Sequence, residues 1–379
     1  MAKKIMKHGL FILSIIFMPC FACAQQTEYA VKAEDPTSIN YTTELIVSDI
    51  NIPWGIAFLP DGSMLITEKA GELIHFKNGT KTSILGVPEV YVRGQGGLMG
   101  IKLHPNYETN GWIYFAYASA EGEGDGGNTA IIRAKLKDNA LVDKEVLYKA
   151  SPNSKRGQHF GSRIEFDKDG YLYFSIGERG EGSLNAQDIT RDCGKIYRLY
   201  DDGRIPEDNP FVNVPNAKKA IYTYGNRNPQ GLIKNPFTEE IWEHEHGPKG
   251  GDEINIIKKG KNYGWQVISY GINYDGTSFT NITEKKGMEQ PLFYWVPSIA
   301  PSGMDFVTSN KYPDWKGHLL VGSLKFEYLE RLVFKNGKVV KREKLLEKIG
   351  RVRDVVQAPD GYIYVAVEGK GVFKIVPKN

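Results

Sequence analysis

Apolar residues along this chain fall in short alternating runs, each broken by a tight turn and answered by a second run. The clearest copies are "GIAFLPDGSMLIT" at 55–67, "SRIEFDKDGYLYFSIG" at 162–177 and "RDVVQAPDGYIYVAV" at 353–367. In the second of these, Leu172, Phe174 and Ile176 recur at a period of two. That is the spacing of one face of an extended strand. The Pro-Asp-Gly and Lys-Asp-Gly turns between the runs suit hairpins. Looser copies lie at 100–117, 231–245 and 303–322. No run of useful length has the period of a helix.

Six copies of a strand–turn–strand unit predict an all-β fold, a six-bladed β-propeller with four-stranded antiparallel blades. The copies are unevenly spaced, so insertions are expected around 119–130, 201–220 and 274–290. The run "TELIVSDI" at 43–50 precedes the first copy and "GVFKIVPK" follows the last. These two ends are predicted to pair within one blade and close the ring. A β-sandwich of similar hairpins is the alternative.

The N-terminus adds a different signal. Lys3, Lys4 and Lys7 precede the apolar run "LFILSIIFMPCFACA", which ends in an Ala-x-Ala site before Gln25. This is the pattern of a cleavable secretory signal, and the run is shorter than the roughly 20 residues that span a bilayer. A lipidated cysteine fits less well, given the residues before Cys20 and Cys23. The expected organisation is a signal peptide at 1–24, an extension at 25–42 and a catalytic propeller at 43–379, in a periplasmic or secreted protein without a membrane span. Removing 1–24 takes three lysines and no acid, so the formal charge falls from +3 to 0. Nothing then favours a nucleic-acid partner. Two of the three cysteines leave with the leader. Cys193 remains alone, without an internal disulfide partner, and is expected to be a small buried side chain.

In a propeller the loops at one rim build the site, so polar residues just before inner strands are its candidates. They are Gln95, His159, Arg227, Asn228, Arg351 and Arg353, with Lys325 in "VGSLKFEY". Three arginines and a lysine on one rim repel unless an anion lies among them, and arginine's donor fork matches carboxylates and phosphates. A second candidate is "WEHEHGPKGGDEINIIKKGKNYGW" at 242–265. His244 and His246 have the spacing of a zinc pair, but no third soft ligand lies near. A Gly-Pro loop can instead aim backbone carbonyls at a hard cation such as Ca²⁺.

The pieces "RGQGGLMGIKLHPNY", "QHFGSRIEFDKDG", "GNRNPQGL", "EHGPKGGDEIN…GKNYGW", "GINY" and "RVRDVV" occur in this order from about Ile52 onward. Together they resemble the soluble pyrroloquinoline-quinone (PQQ)-dependent aldose sugar dehydrogenases and related soluble glucose dehydrogenases. The resemblance implies a six-bladed propeller that oxidises an aldose at C1 to the lactone, with hydride transfer to the quinone C5. His159 would be the base that takes the anomeric proton, and Arg227 would stabilise charge on the quinone oxygens. Glu178 would orient the base, where glucose-oxidising members carry an aspartate. Gln158 replaces an acidic residue of those members, which places the chain nearer the broad-specificity branch. Gln95, Asn228, Tyr274, Ser298, Leu324, Lys325, Arg351 and Arg353 would hold the cofactor together with Arg227. The Gly247 and Pro248 carbonyls would bind a Ca²⁺ that polarises the quinone, and Glu253 with the Tyr263 carbonyl would form a second calcium site. Tyr294 and Trp295 could stack on sugar or quinone, or simply pack a blade.

Two other functions use similar scaffolds. A calcium-dependent lactonase needs acidic and amide side chains converging on one metal, whereas the convergent groups here are mostly cationic. A non-catalytic sugar-binding propeller would not need His159, Glu178 and the Gly-Pro loop together. The implied partners are an aldose and an unidentified electron acceptor, and the expected assembly is a monomer or homodimer.

Overall fold

Each alternating run becomes a strand because one of its faces can be buried against a neighbouring sheet. The computed structural model describes residues 31–36 and 40–378. The signal peptide at 1–24 therefore lies outside the described residues, as does much of the 25–42 extension.

Six antiparallel sheets of four strands make the six blades. Their innermost strands are Pro53–Phe58, Leu98–Leu103, Ile164–Phe166, Pro229–Lys234, Pro301–Phe306 and Val352–Gln357. Each packs against the next around a ring. All six sequence copies begin on or beside one of these strands. In the first blade, Phe58 pairs with Met64 across the turn, and the Leu59 amide donates to the Ser63 carbonyl at 2.8 Å. Gly62 supplies the positive φ of 82° that this turn requires.

Blade closure follows the sequence expectation. Tyr41–Ser48 runs antiparallel to Gly371–Pro377, with Thr43 opposite Ile375 and Leu45 opposite Phe373. Val372 and Ile375 are fully buried at this seam. Burying each such side chain is worth about 1.5–3 kcal/mol, so the closing strand is held by packing as well as by its ladder. Ala33–Glu34 adds a short parallel edge to the fifth blade, beside Arg342 and Glu343. The insertions lie between Ser119 and Asn128, between Leu199 and Ile221, and between Ile256 and Phe293.

The core is a series of apolar seams between blades. Leu65, Leu98 and Phe115 fill one, while Tyr114, Phe166 and Phe174 fill the next. Trp242, Trp295 and Phe306 fill a third, so Trp295 is a packing residue; its indole Nε1 donates to Glu330 at 3.1 Å. Cys193 is buried, and burial pushes its thiol up to about 11.

Arg163 and Asp354 bridge the channel between the third and sixth blades at 2.9 Å. Arg163 also donates to the Gln230 and Arg353 carbonyls and lies over Trp54, while Asp354 accepts from the Ile56 amide at 3.0 Å. Among the described residues no helix is long and apolar enough to cross a membrane.

Candidate active site

Because neighbouring strands in a blade are antiparallel, the start of each innermost strand and the end of the second strand meet at the same rim. Gln95, His159, Arg227, Asn228, Ser298 and Arg351 lie at or just before innermost strands. Glu178, Gly247, Lys325 and Glu368 follow second strands ending at Ile176, Glu245, Ser323 and Val367. Topology alone therefore gathers these ten residues at one end of the channel.

His159 is the most constrained of them. Its backbone is left-handed, with φ of 57°, a conformation that non-glycine residues adopt rarely and mostly where surroundings enforce it. Its amide donates to Gln95 Oε1 at 2.8 Å, and its Nδ1 is hydrogen-bonded to Glu178 Oε1. Glu178 also accepts from the amides of Gly180 and Gly182. With Nδ1 committed, Nε2 is the nitrogen left for chemistry. Burial first, and then the Arg227 charge, hold the imidazole below its ordinary value, while Glu178 pulls the other way. Burial, the largest single influence, would raise the Glu178 carboxyl, but the hydrogen bond and charge of His159, the Gly182 amide and Arg227 together hold it below the usual range. The pair is thus a neutral base backed by a carboxylate.

Arg227 donates through Nη1 to the carbonyls of His246 and Gly247, at 2.9 and 3.1 Å, and lies over the Trp265 ring. The amides of Arg227 and Asn228 both donate to Glu245 Oε2, and Asn228 Oδ1 accepts from the Gly161 amide. Arg227 Nε, Asn228 Nδ2 and Trp265 Nε1 are buried donors without an acceptor among the described residues.

Lys325 is exposed and forms no ion pair among the described residues. Arg351 and Arg353 behave differently from expectation. Both bind Glu368, Arg351 Nε at 2.6 Å and Arg353 through Nε and Nη2. The four rim cations therefore do not all require an external anion, because the chain supplies one for two of them. Leu324 contributes its carbonyl, which accepts from Arg351 Nη1 at 3.0 Å. Ser298 is committed to Asp252, to which the amides of Gly247, Ile299 and Ala300 also donate. Tyr274 is 72% exposed on the long insertion. Tyr294 stacks on Tyr270 at 3.8 Å.

The Gly-Pro loop is tight: a Cβ at Gly247 would lie 2.1 Å from the Gly250 carbonyl oxygen. Its Asp252 anchor is buried, which pushes that carboxyl up to about 6. Glu253 pairs with Glu245 across the hairpin, and Glu243 pairs with Asn255 on the same face. Burial raises all three glutamates, Glu245 to about 7, and Glu243 Oε2 and Asn255 Oδ1 have no partner among the described residues. Glu245, Glu253, Gly247 and Tyr263 line one small cavity beside Arg227. Among the described residues no three His, Cys, Asp or Glu side chains converge as a metal-holding group, so a cation in this cavity would draw on backbone oxygens too. The zinc alternative fails on geometry, since His246 Nε2 is engaged by the Pro301 carbonyl at 2.6 Å while His244 is sealed against Gly231.

Sequence reasoning missed Arg179, Glu245, Asp252 and Glu368. Glu245 and Asp252 stand inside the 242–265 stretch already singled out, and Arg179 directly follows Glu178, all as unexplained charges near glycines. Glu368 had no local signal.

Comparison with known proteins accords with this geometry. A sequence model of the Glucose / Sorbosone dehydrogenase family matches residues 50–374. Aldose sugar dehydrogenase YliI of Escherichia coli K12 is 41% identical over 357 residues, spanning 91% of this chain and 94% of that protein. Quinoprotein glucose dehydrogenase B of Acinetobacter calcoaceticus is 30% identical, over 77% of this chain and 65% of its own. The apo crystal structure of the E. coli soluble aldose sugar dehydrogenase superposes with a TM-score of 0.86 at 39% identity, covering 89% of this chain and all of that one. A PQQ-bound aldose sugar dehydrogenase from Streptomyces coelicolor gives 0.72 at 27% identity, over 90% and 99% of the two chains. With a six-bladed ring and a backed histidine at its rim, the chain belongs to the Glucose / Sorbosone dehydrogenase family, an oxidoreductase acting on sugar CH–OH groups.

Proposed function

We propose that this protein oxidises aldoses at C1 to the lactone with PQQ as cofactor and Ca²⁺ as its partner ion. The observation that carries the cofactor reading is the cluster of orphaned donors: Arg227 Nε, Asn228 Nδ2 and Trp265 Nε1 are buried without acceptors among the described residues. Leaving a buried donor unpaired costs about 1–3 kcal/mol, so three together call for an acceptor-rich ligand. A planar tricarboxylate quinone offers such oxygens, and Lys325, Arg351 and Arg353 stand on the same rim to meet its carboxylates. When bound, the quinone supplies the acceptor for the hydride that leaves C1.

His159 Nε2 takes the proton of the anomeric hydroxyl, and Glu178 favours the imidazolium that results. Arg227 would stabilise negative charge developing on the acceptor's oxygens. The calcium reading rests on the Glu243, Glu245 and Glu253 face and on the carbonyls of Gly247 and Tyr263 nearby. These are hard oxygen donors, and the buried carboxylates gain most from a cation. Arg227 already donates to the Gly247 oxygen, so guanidinium and Ca²⁺ share or compete for that carbonyl. The proposal includes export, which the basic and apolar leader at 1–24 supports.

The test adds PQQ and Ca²⁺ to the purified protein and follows dye reduction with an aldose. His159→Ala should retain quinone binding and lose roughly 10²–10⁴-fold in turnover. Wild-type turnover in that variant would remove His159 from the mechanism.

A further inference from the structure

Arg179 follows Glu178 directly, and the mechanism above gives it no task. It is 1% exposed, also has a left-handed backbone with φ of 62°, and hydrogen-bonds no carboxylate among the described residues. Burial pulls its guanidinium down to about 10, so it stays charged at neutral pH. A buried cation without a carboxylate partner is costly, and it persists only where its hydrogen bonds offset the burial.

Its contacts converge on one turn. Nε donates to the Gln158 carbonyl at 3.0 Å, Nη2 to the Arg156 carbonyl and Nη1 to the Gly127 carbonyl at 3.3 Å. The guanidinium plane lies 3.5 Å from the centroid of the Phe160 ring. The residues before and after His159 are thus both fixed by one side chain. Gln95 fixes the His159 amide, and Glu178 fixes its ring.

We propose that Arg179 is a positioning residue for His159: it locks the 156–160 turn in the left-handed conformation that presents Nε2 to the sugar. Glu178 and Arg179 then form a double clamp from adjacent positions, one on the imidazole and one on the backbone that carries it. Arg179 has a second effect through its charge. The charged and titratable groups around the imidazole are Glu178, Arg227, Arg179 and His246. Of these, Arg227 and Arg179 both disfavour its protonation. The inference rests on His159 being the base of the proposed reaction.

The test compares Arg179→Met, which removes the charge and the donors, with Arg179→Lys, which keeps the charge and loses the fork. Both are made in the full chain and reconstituted with PQQ and Ca²⁺. Turnover should fall in both, by about 10²-fold in the methionine variant, the scale of an ångström-sized misplacement. Sugar KM and quinone affinity should change less than about threefold, and the melting temperature of the lysine variant should stay near wild type. Independently of activity, carbethoxylation of His159 by diethyl pyrocarbonate is followed by peptide mass against pH. Its midpoint should move to higher pH in the methionine variant and stay in place in the lysine variant. Wild-type turnover in both variants overturns the proposal. So does a parallel loss of quinone affinity, KM and turnover in the lysine variant, which is what a merely structural role gives. If the methionine variant does not fold, the lysine variant decides by these criteria. If wild-type protein oxidises no aldose, the functional reading fails instead, while the carbethoxylation midpoints still report whether Arg179 governs His159.

Discussion

Replacing Glu178 with glutamine keeps a hydrogen-bond acceptor beside His159 and removes the negative charge. In the wild-type site both side chains are sheltered, 12% exposed for His159 and 2% for Glu178, so water screens their interaction little. As Nε2 takes a proton, the bond from Nδ1 to Glu178 passes from one with a neutral donor to one between opposite charges. A hydrogen bond to a charged group is worth about 1.5–3 kcal/mol and a neutral one about 0.5–1.5. The difference, about 1–1.5 kcal/mol, converts to roughly a tenfold loss in kcat. The amide NH₂ also faces the Gly182 amide, which loses its acceptor. Gly182 is only half-buried, so water can replace it and the cost in stability should be about 1 kcal/mol.

The pH profile gives the sharper test. A catalytic base must be neutral, so kcat falls as pH drops through the pKa of His159. Glu178 raises that pKa, against burial and Arg227. Removing the charge must therefore lower it further, and the acid limb of Glu178→Gln should move to lower pH even as the plateau falls. Stopped-flow reduction of the bound quinone across pH 4–8, on protein of checked melting temperature, would read both effects. A plateau within twofold of wild type, or an acid limb that moves up, would refute the reasoning. The carboxylate would then not be coupled to the base.

Lys325→Ala should weaken quinone binding more than sugar binding, since Lys325 is the exposed rim cation with no carboxylate of its own; equal quinone affinity with a raised sugar KM in a titration would reassign it to the substrate. Glu368→Gln should release part of the charge that holds Arg351 and Arg353, tightening quinone binding at low salt while lowering the melting temperature by a few degrees. Glu253→Gln should weaken calcium binding measured by calorimetry, whereas His246→Gln should not; full sugar oxidation in protein shown by elemental analysis to be metal-free would sink the calcium reading.

The fold was legible because its signals are local. A period of two and an Asp-Gly turn are properties of a dozen consecutive residues, and counting them counts the blades. The closing strand was legible too, since an unpaired apolar run at each end of a ring leaves few other pairings. The Ala33–Glu34 edge was not, because two residues carry no periodicity and their place depends on the surface that the fifth blade presents. The rim was legible for the same topological reason: whatever precedes an innermost strand arrives at one mouth. What could not be read was which rim residues touch. Ser298 is turned to Asp252, and Tyr274 to solvent, by loops whose paths are set by long-range contacts.

The largest revision concerns charge. Arg227, Lys325, Arg351 and Arg353 on one rim suggested that an external anion was needed, but Glu368 comes from another strand of the same blade as the last two and meets both. Among the described residues, what remains without a carboxylate is the guanidinium of Arg227, hydrogen-bonded only to carbonyls, and Lys325. Two free cations do not balance three carboxylates. A dication near Arg227 would add the missing positive charge, and the cavity lined by Glu245, Glu253, Gly247 and Tyr263 is where we propose that it sits. On this view, the calcium and quinone readings are one electrostatic proposal, because each supplies the charge the other lacks.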